Sequence, residues 1–325
     1  MADDNWIEVA VFIHGITPER NPKEQGNNNK LYDILFDDIQ TELERQGKKP
    51  LDDAIRIIWN WNPGDNTPPL HLDQNLAEAE RLIGDQIGER EQHVNAINRT
   101  HFMLWKLIYK IGREIMLYGL ADAMYYVSQD GEQTVREHVF KSLCDEIMRR
   151  LDKDETAKIS LTVLGHSAGS LIAHDFLYQL FSNRKQKKND VAEVHHLRSL
   201  VGEGERQGDT SQPYARLRVR HLYTFGSPIA AWFIRANSLL AKVMDKEPLK
   251  VADLGFMAQD GLSNPRWVNF WALTDVASFP LSFLYDDQEI VKDEYVDPGL
   301  VFPSTHTAYW RSPKAKIAER IARSF

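Results

Sequence analysis

The sequence predicts an α/β fold: a mostly parallel central sheet, helices on both faces, and a helical cap-like insertion. Three observations carry this. Short runs rich in β-branched and aromatic residues alternate with longer runs whose apolar residues recur at helical spacing. The strand-like runs end abruptly, most of them in turns of Gly, Pro, Asn or Asp. The chain has 325 residues, 42% hydrophobic and 26% charged, which suits one globular domain of this class.

The elements follow in order. Residues 6–13 (Trp-Ile-Glu-Val-Ala-Val-Phe-Ile) read as a buried strand, and His14-Gly15-Ile16 follows it. A strand ending in His-Gly can build half of an oxyanion hole, because the glycine lets the chain turn back and the next N–H, from Ile16, can face a developing negative charge. The plainer alternative is a strand-to-loop turn. Residues 17–30 are polar and rich in Asn, Pro and Gly, and are expected to form a mobile surface loop. A helix is expected over 31–46 from Leu31, Ile34, Leu35, Ile39 and Leu43, with Gly47 as its C-cap. Residues 54–60 are the second expected strand.

Residues 76–127 are helix-prone and hardest to place. Leu104, Leu107, Ile108, Ile111, Ile115 and Tyr118 keep helical spacing, while Lys106, Lys110, Arg113, Glu114 and Asp122 interrupt the apolar run. That many charges argue against a membrane span. The segment is read as a core-packing amphipathic helix or, more sharply, as a cap whose Phe102, Met103, Trp105 and Tyr109 line an acyl-chain pocket. A surface-seeking membrane helix is the weakest option, since the charges form no basic face.

A helix over 132–151 then leads into Lys158-Ile159-Ser160-Leu161-Thr162-Val163-Leu164-Gly165-His166-Ser167-Ala168-Gly169. This is a strand meeting Gly-x-Ser-x-Gly, with a helical pattern over 168–180 directly after it. A serine held on a sharp strand-to-helix turn needs small neighbours two residues either side, and Gly165 and Gly169 supply them. Such a serine stands at a helix N-terminus, where unpaired N–H groups favour negative charge. The alternative is a satisfied serine in an ordinary turn. His174, nearly two helical turns beyond Ser167, is read as structural.

Residues 182–218 look like a partly mobile polar insertion. The adjacent His195 and His196 have no partners at metal-ligand spacing, so no metal is expected. Residues 219–225 are a strand broken by Gly226-Ser227-Pro228; 230–243 a helix; 267–273 a strong strand with Asp275 just beyond it; 288–296 a further strand or hairpin. His306 lies in an aromatic-rich turn before a terminal helix over 313–323 that starts at Pro313.

The net charge of −8 shows no footprint for nucleic acid. One cysteine, Cys144, excludes an internal disulfide framework and a cysteine metal cluster. The acidic start lacks the pattern of a signal peptide, so a cytoplasmic location is the expectation, with export that uses no cleaved signal left open.

Together, His14-Gly15, Gly165-His166-Ser167-Ala168-Gly169, Thr224-Phe225-Gly226-Ser227-Pro228, Thr274-Asp275-Val276 and His306-Thr307-Ala308-Tyr309-Trp310 resemble the serine esterases and lipases of the α/β-hydrolase superfamily. The resemblance spans most of the chain as spaced motifs and is weakest over 76–127 and 182–218. It implies a single α/β-hydrolase domain over 1–325. It implies Ser167 as nucleophile, His306 as base and then acid, and Asp275 as its orienter, in the chain order of that fold. After Asp275, His306 is the only histidine left. Asp245, Asp253, Asp260, Asp286, Asp287 and Asp293 also lie between serine and histidine, and Asp253 and Asp260 are the better rivals. The oxyanion hole would come from the N–H groups of Ile16 and Ala168. Relatives often have glycine where this chain has Ser170. The implied activity is carboxylic-ester hydrolysis on a small-molecule or lipid ester, without a cofactor. A non-catalytic binding protein on the same fold, or an acyltransferase or thioesterase using the same three residues, remains as the alternative.

Overall fold

The computed structural model describes residues 6–14, 22–57, 129–154, 156–182, 190–201, 216–235, 247–256, 266–299 and 304–325. The expected cap over 76–127, with Phe102, Met103, Trp105 and Tyr109, lies outside them, as do Gly15 and Ile16.

Among the described residues six strands form one sheet in the order β2-β1-β3-β4-β5-β6, and every pairing is parallel. They are β1 (Trp6–Ile13), β2 (Asp53–Ile57), β3 (Lys158–His166), β4 (Leu217–Phe225), β5 (Trp267–Trp271) and β6 (Val291–Tyr295). The helices are α1 (Pro22–Arg45), α2 (Gln129–Leu151), α3 (Ala168–Phe181), α4 (Ala192–Leu200), α5 (Ile229–Arg235) and α6 (Ile317–Ser324).

Side chains alternate across a strand, so β1 feeds two cores. Val9, Val11 and Ile13 pack with Val139, Leu143 and Ile147 of α2 and Ile172, Phe176 and Leu180 of α3. Ala10 and Phe12 face the other way, onto Tyr32, Leu35 and Ile39 of α1 and Ile321 of α6. Both sheet faces are thus covered, which explains strands of near-continuous apolar residues rather than half-polar ones.

Several boundaries differ from expectation. α1 begins at Pro22 rather than at residue 31, so the second half of the expected loop is helical. Proline suits a first turn, where its missing N–H is not needed, and the buried stripe of Tyr32, Leu35, Ile39 and Leu43 outweighs local Asn and Gly. At the other end Gly47 has φ 67°, Lys48 N–H donates to Leu43 O and Gly47 N–H to Glu44 O, a Schellman cap. Within 182–218, read as a partly mobile polar insertion, Ala192–Leu200 is a helix that buries Val194 and Leu197. β6 is a parallel edge strand, not a hairpin. α6 starts at Ile317 instead of Pro313, because Lys316 takes a left-handed φ of 50° and interrupts the pattern. Among the described residues no helix is long and apolar enough to cross a membrane.

Candidate active site

The carboxyl ends of β3, β4 and β5 meet at one point, and open parallel sheets present functional groups there. β3 ends at His166 and α3 begins at Ala168, leaving Ser167 alone in the turn. Its backbone is forced to φ 53°, ψ −128°, a region that L-residues rarely occupy. The close packing explains the two glycines. A Cβ on Gly165 would lie 2.8 Å from Ser170 Cα, and one on Gly169 would overlap the carbonyl oxygens of Ile13 and His14. The second contact also sets the end of β1 against the start of α3.

A serine before a helix usually turns its oxygen onto the helix N–H groups. Ser167 makes no such cap. Its Oγ lies 2.9 Å from His306 Nε2. His306 comes from the 3-10 turn Ser304–Thr307. Its Nδ1 lies 2.9 Å from Asp275 Oδ2 and 3.0 Å from Oδ1. A carboxylate can only accept, so Nδ1 carries the proton and Nε2 offers a lone pair to the serine O–H. Asp275 is 2% exposed and His306 8%.

The acid is held from several sides. Its Oδ1 accepts the Ala277 N–H at 3.1 Å and its Oδ2 the Tyr309 hydroxyl at 2.7 Å. Burial alone would push this carboxyl up. The hydrogen bond and charge of His306, with the Tyr309 and Ala277 donors, more than offset that and hold it below the usual carboxylate range. The loop beyond Asp275 is clamped by Asp293 on β6, which accepts the N–H groups of Leu281 and Ser282 and the Asn269 amide.

The rivals to Asp275 among the described residues are otherwise engaged or distant. Asp286 accepts Val251 N–H, and Asp287 accepts Glu289 and Ile290 N–H. Asp253 sits in the 3-10 turn Val251–Leu254. A Cβ on the adjoining Gly255 would lie 2.8 Å from the Phe181 ring at the far end of α3. Phe181 is fourteen residues past Ser167, about 20 Å along a helix. Asp245 and Asp260 lie outside the described residues. The structure therefore brings Ser167, His306 and Asp275 together. Ala168 is buried at the first position of α3, where an N–H has no intrahelical acceptor.

Four supporting residues were not assigned roles from sequence. The Ser170 hydroxyl, wholly buried, donates to Ser167 O at 2.5 Å and lies 2.8 Å from Ser227 Oγ. A glycine at this position could not make this link. Gly226 has φ 56°, and a Cβ on it would stand 3.0 Å from Asp275 Oδ2 and from His306 Nδ1. His166 Nε2 lies 2.7 Å from His306 O; the ring must donate, because a carbonyl only accepts. Burial first, then the neighbouring His306, push the His166 pKa down to about 3, so its ring is neutral. In the sequence, Gly226, Ser227 and His166 fall within two of the motifs and Ser170 directly follows one; the contacts that join them across the site are tertiary. His174, as expected, makes a structural contact: it is half-buried, with its Nε2 2.9 Å from the Tyr285 hydroxyl.

Chemically, this arrangement can lower the cost of removing the Ser167 proton and can return that proton to a leaving group. No protein-family model matches the chain, and neither characterised proteins nor solved structures yield a significant match.

Proposed function

We propose that the protein is a serine hydrolase of α/β-hydrolase type that cleaves carboxylic esters through an acyl-enzyme. The observation that carries the reading is the continuous line Ser167 Oγ–His306 Nε2 and His306 Nδ1–Asp275 at 2.9 Å each, with the serine in a strained turn. In this reading His306 takes the Ser167 proton as Oγ attacks the ester carbonyl. It then gives the proton to the departing alkoxide. Water, activated by the same histidine, attacks the acyl-enzyme carbonyl and releases the acid and Ser167. Asp275 keeps the imidazole in the right tautomer and stabilises its cation. The amides of Ala168 and Ile16 are the proposed oxyanion donors, and such a donor is worth about 3 kcal/mol.

The binding-protein alternative is disfavoured by the cost of the arrangement. A non-catalytic fold has no need of a serine at φ 53° or of a carboxylate buried behind a histidine. The test is labelling by a fluorophosphonate and turnover of 4-nitrophenyl acetate by the wild type and Ser167→Ala. Labelling and turnover confined to the wild type support the reading. Equal labelling of both would remove Ser167 as nucleophile.

A further inference from the structure

Tyr309 stands three residues after His306, just past the Ser304–Thr307 turn. Its ring is wholly buried and packs 6.4 Å from both Phe225 and His166, centroid to centroid. A phenylalanine would fill that space equally well. The hydroxyl is instead aimed at Asp275 Oδ2, at 2.7 Å, the oxygen that also accepts from His306 Nδ1 at 2.9 Å. One short stretch of chain therefore delivers two donors to one carboxylate. Burial and then the adjacent Asp275 charge push the Tyr309 hydroxyl well above its ordinary range, so it remains a donor.

We infer that Tyr309 is a positioning residue of this site, whose buried hydroxyl locks the rotation of the Asp275 carboxylate and shares its charge with His306. The inference rests on the proposed hydrolase reading. Two donors on Oδ2 and the Ala277 N–H on Oδ1 leave the carboxylate one orientation. Without the hydroxyl, Asp275 would turn more freely and its undiluted charge would bind the His306 cation more strongly. Few ionisable groups among the described residues face the pair. Asp275 faces His306 and Tyr309, and His306 in turn faces His166 on β3, which burial keeps neutral. His14, at the end of β1, adds only a weak effect on His166.

The test is Tyr309→Phe, which removes one oxygen and keeps the ring. With 4-nitrophenyl acetate, kcat should fall about tenfold to a hundredfold, the range for a hydrogen bond to a charged group, with KM within about twofold. The acidic limb of kcat/KM should move to higher pH. Active-site titration with a fluorophosphonate normalises the rates to folded enzyme. The low-field proton resonance of His306 Nδ1–H, read by NMR in both proteins, should move in the variant, and this readout needs no turnover. An unmoved resonance with an unchanged acidic limb overturns the inference, whatever happens to the rate. A wild type that turns over no ester and takes no label would overturn the hydrolase reading, while the resonance would still decide whether Tyr309 tunes the Asp275–His306 pair.

Discussion

The buried hydroxyl of Ser170 donates to the carbonyl of Ser167 across a single turn of α3, at 2.5 Å. It thereby holds one of the two non-glycine residues with positive φ among those described. The Ser227 hydroxyl, 2.8 Å from Ser170 Oγ, extends the tie to the loop after β4. Because Ser170 gives its own proton to the carbonyl, Ser227 is the donor between the two. The turn carrying the serine and the loop beneath the histidine are therefore one hydrogen-bonded unit.

Ser170→Ala should cost about 1–3 kcal/mol of stability, the usual result of leaving buried polar groups unpaired. Urea unfolding checks this, with a fall in midpoint at constant m-value as the expected outcome. Ser170→Gly should cost more, since it adds backbone freedom inside a helix. A variant as stable as the wild type would mean that the tie contributes nothing.

Asp275→Asn keeps the shape of the acid and removes its charge. The amide can donate to His306 Nδ1 and so favour the wrong tautomer, with a loss of kcat on the order of 10⁴-fold in the serine-protease template. Steady-state kinetics at neutral pH measure it. A loss below about tenfold would move the orienting role elsewhere, and Asp260, outside the described residues, would be the first position to try.

Gly226→Ala puts a methyl group 3.0 Å from both partners of the acid–base pair and forces an L-residue to φ 56°. The left-handed backbone alone costs about 1–2 kcal/mol. Activity should suffer far more than stability, because displacing His306 breaks the line to Ser167. The comparison is the thermal midpoint against the fluorophosphonate labelling rate of the same preparation. Labelling at the wild-type rate would show that the pair tolerates the push.

His221 gives a pH signature far from the site. It is 2% exposed, and its Nε2 donates to Ser324 O at 2.9 Å. Burial, then Arg220, hold its pKa well below the ordinary value. A histidine with a depressed folded pKa binds its proton in the unfolded chain first. Stability is therefore greatest above about pH 6.5 and falls as pH drops below it, by at most about 1.4 kcal/mol per pH unit for one proton. His221→Gln, which keeps a donor, should flatten that slope in urea titrations between pH 7 and pH 5. Parallel slopes for the two proteins would contradict it.

The strands were the most legible part of the sequence. Trp6–Ile13 is a strand over the expected span, since β-branched and aromatic side chains buried on both faces leave no ambiguity of period. Helix starts were less legible. Pro22 and Lys316 set α1 and α6 by a terminal proline and by one left-handed residue, neither of which apolar spacing records. Ser167 and His306 stood out because motif and chain order single them out. Asp275 had rivals in sequence, and only the structure shows Asp286 occupied by the distant Val251 N–H and Asp287 by N–H groups of its own turn. Tyr309, Ser170 and Gly226 were invisible as supports because their partners Asp275, Ser227 and Asp275 lie 34, 57 and 49 residues away and only the fold joins them.

The strand order has one further consequence. β3, which leads into Ser167, lies in the sheet interior with neighbours on both sides, while the acid and base arrive on loops toward the β6 edge. Edge elements open at lower free energy than central ones. As the protein is heated, the base should drift from the serine before the serine leaves its turn. Inactivation should then run ahead of the loss of secondary structure, and an early-heated sample should regain full activity on cooling.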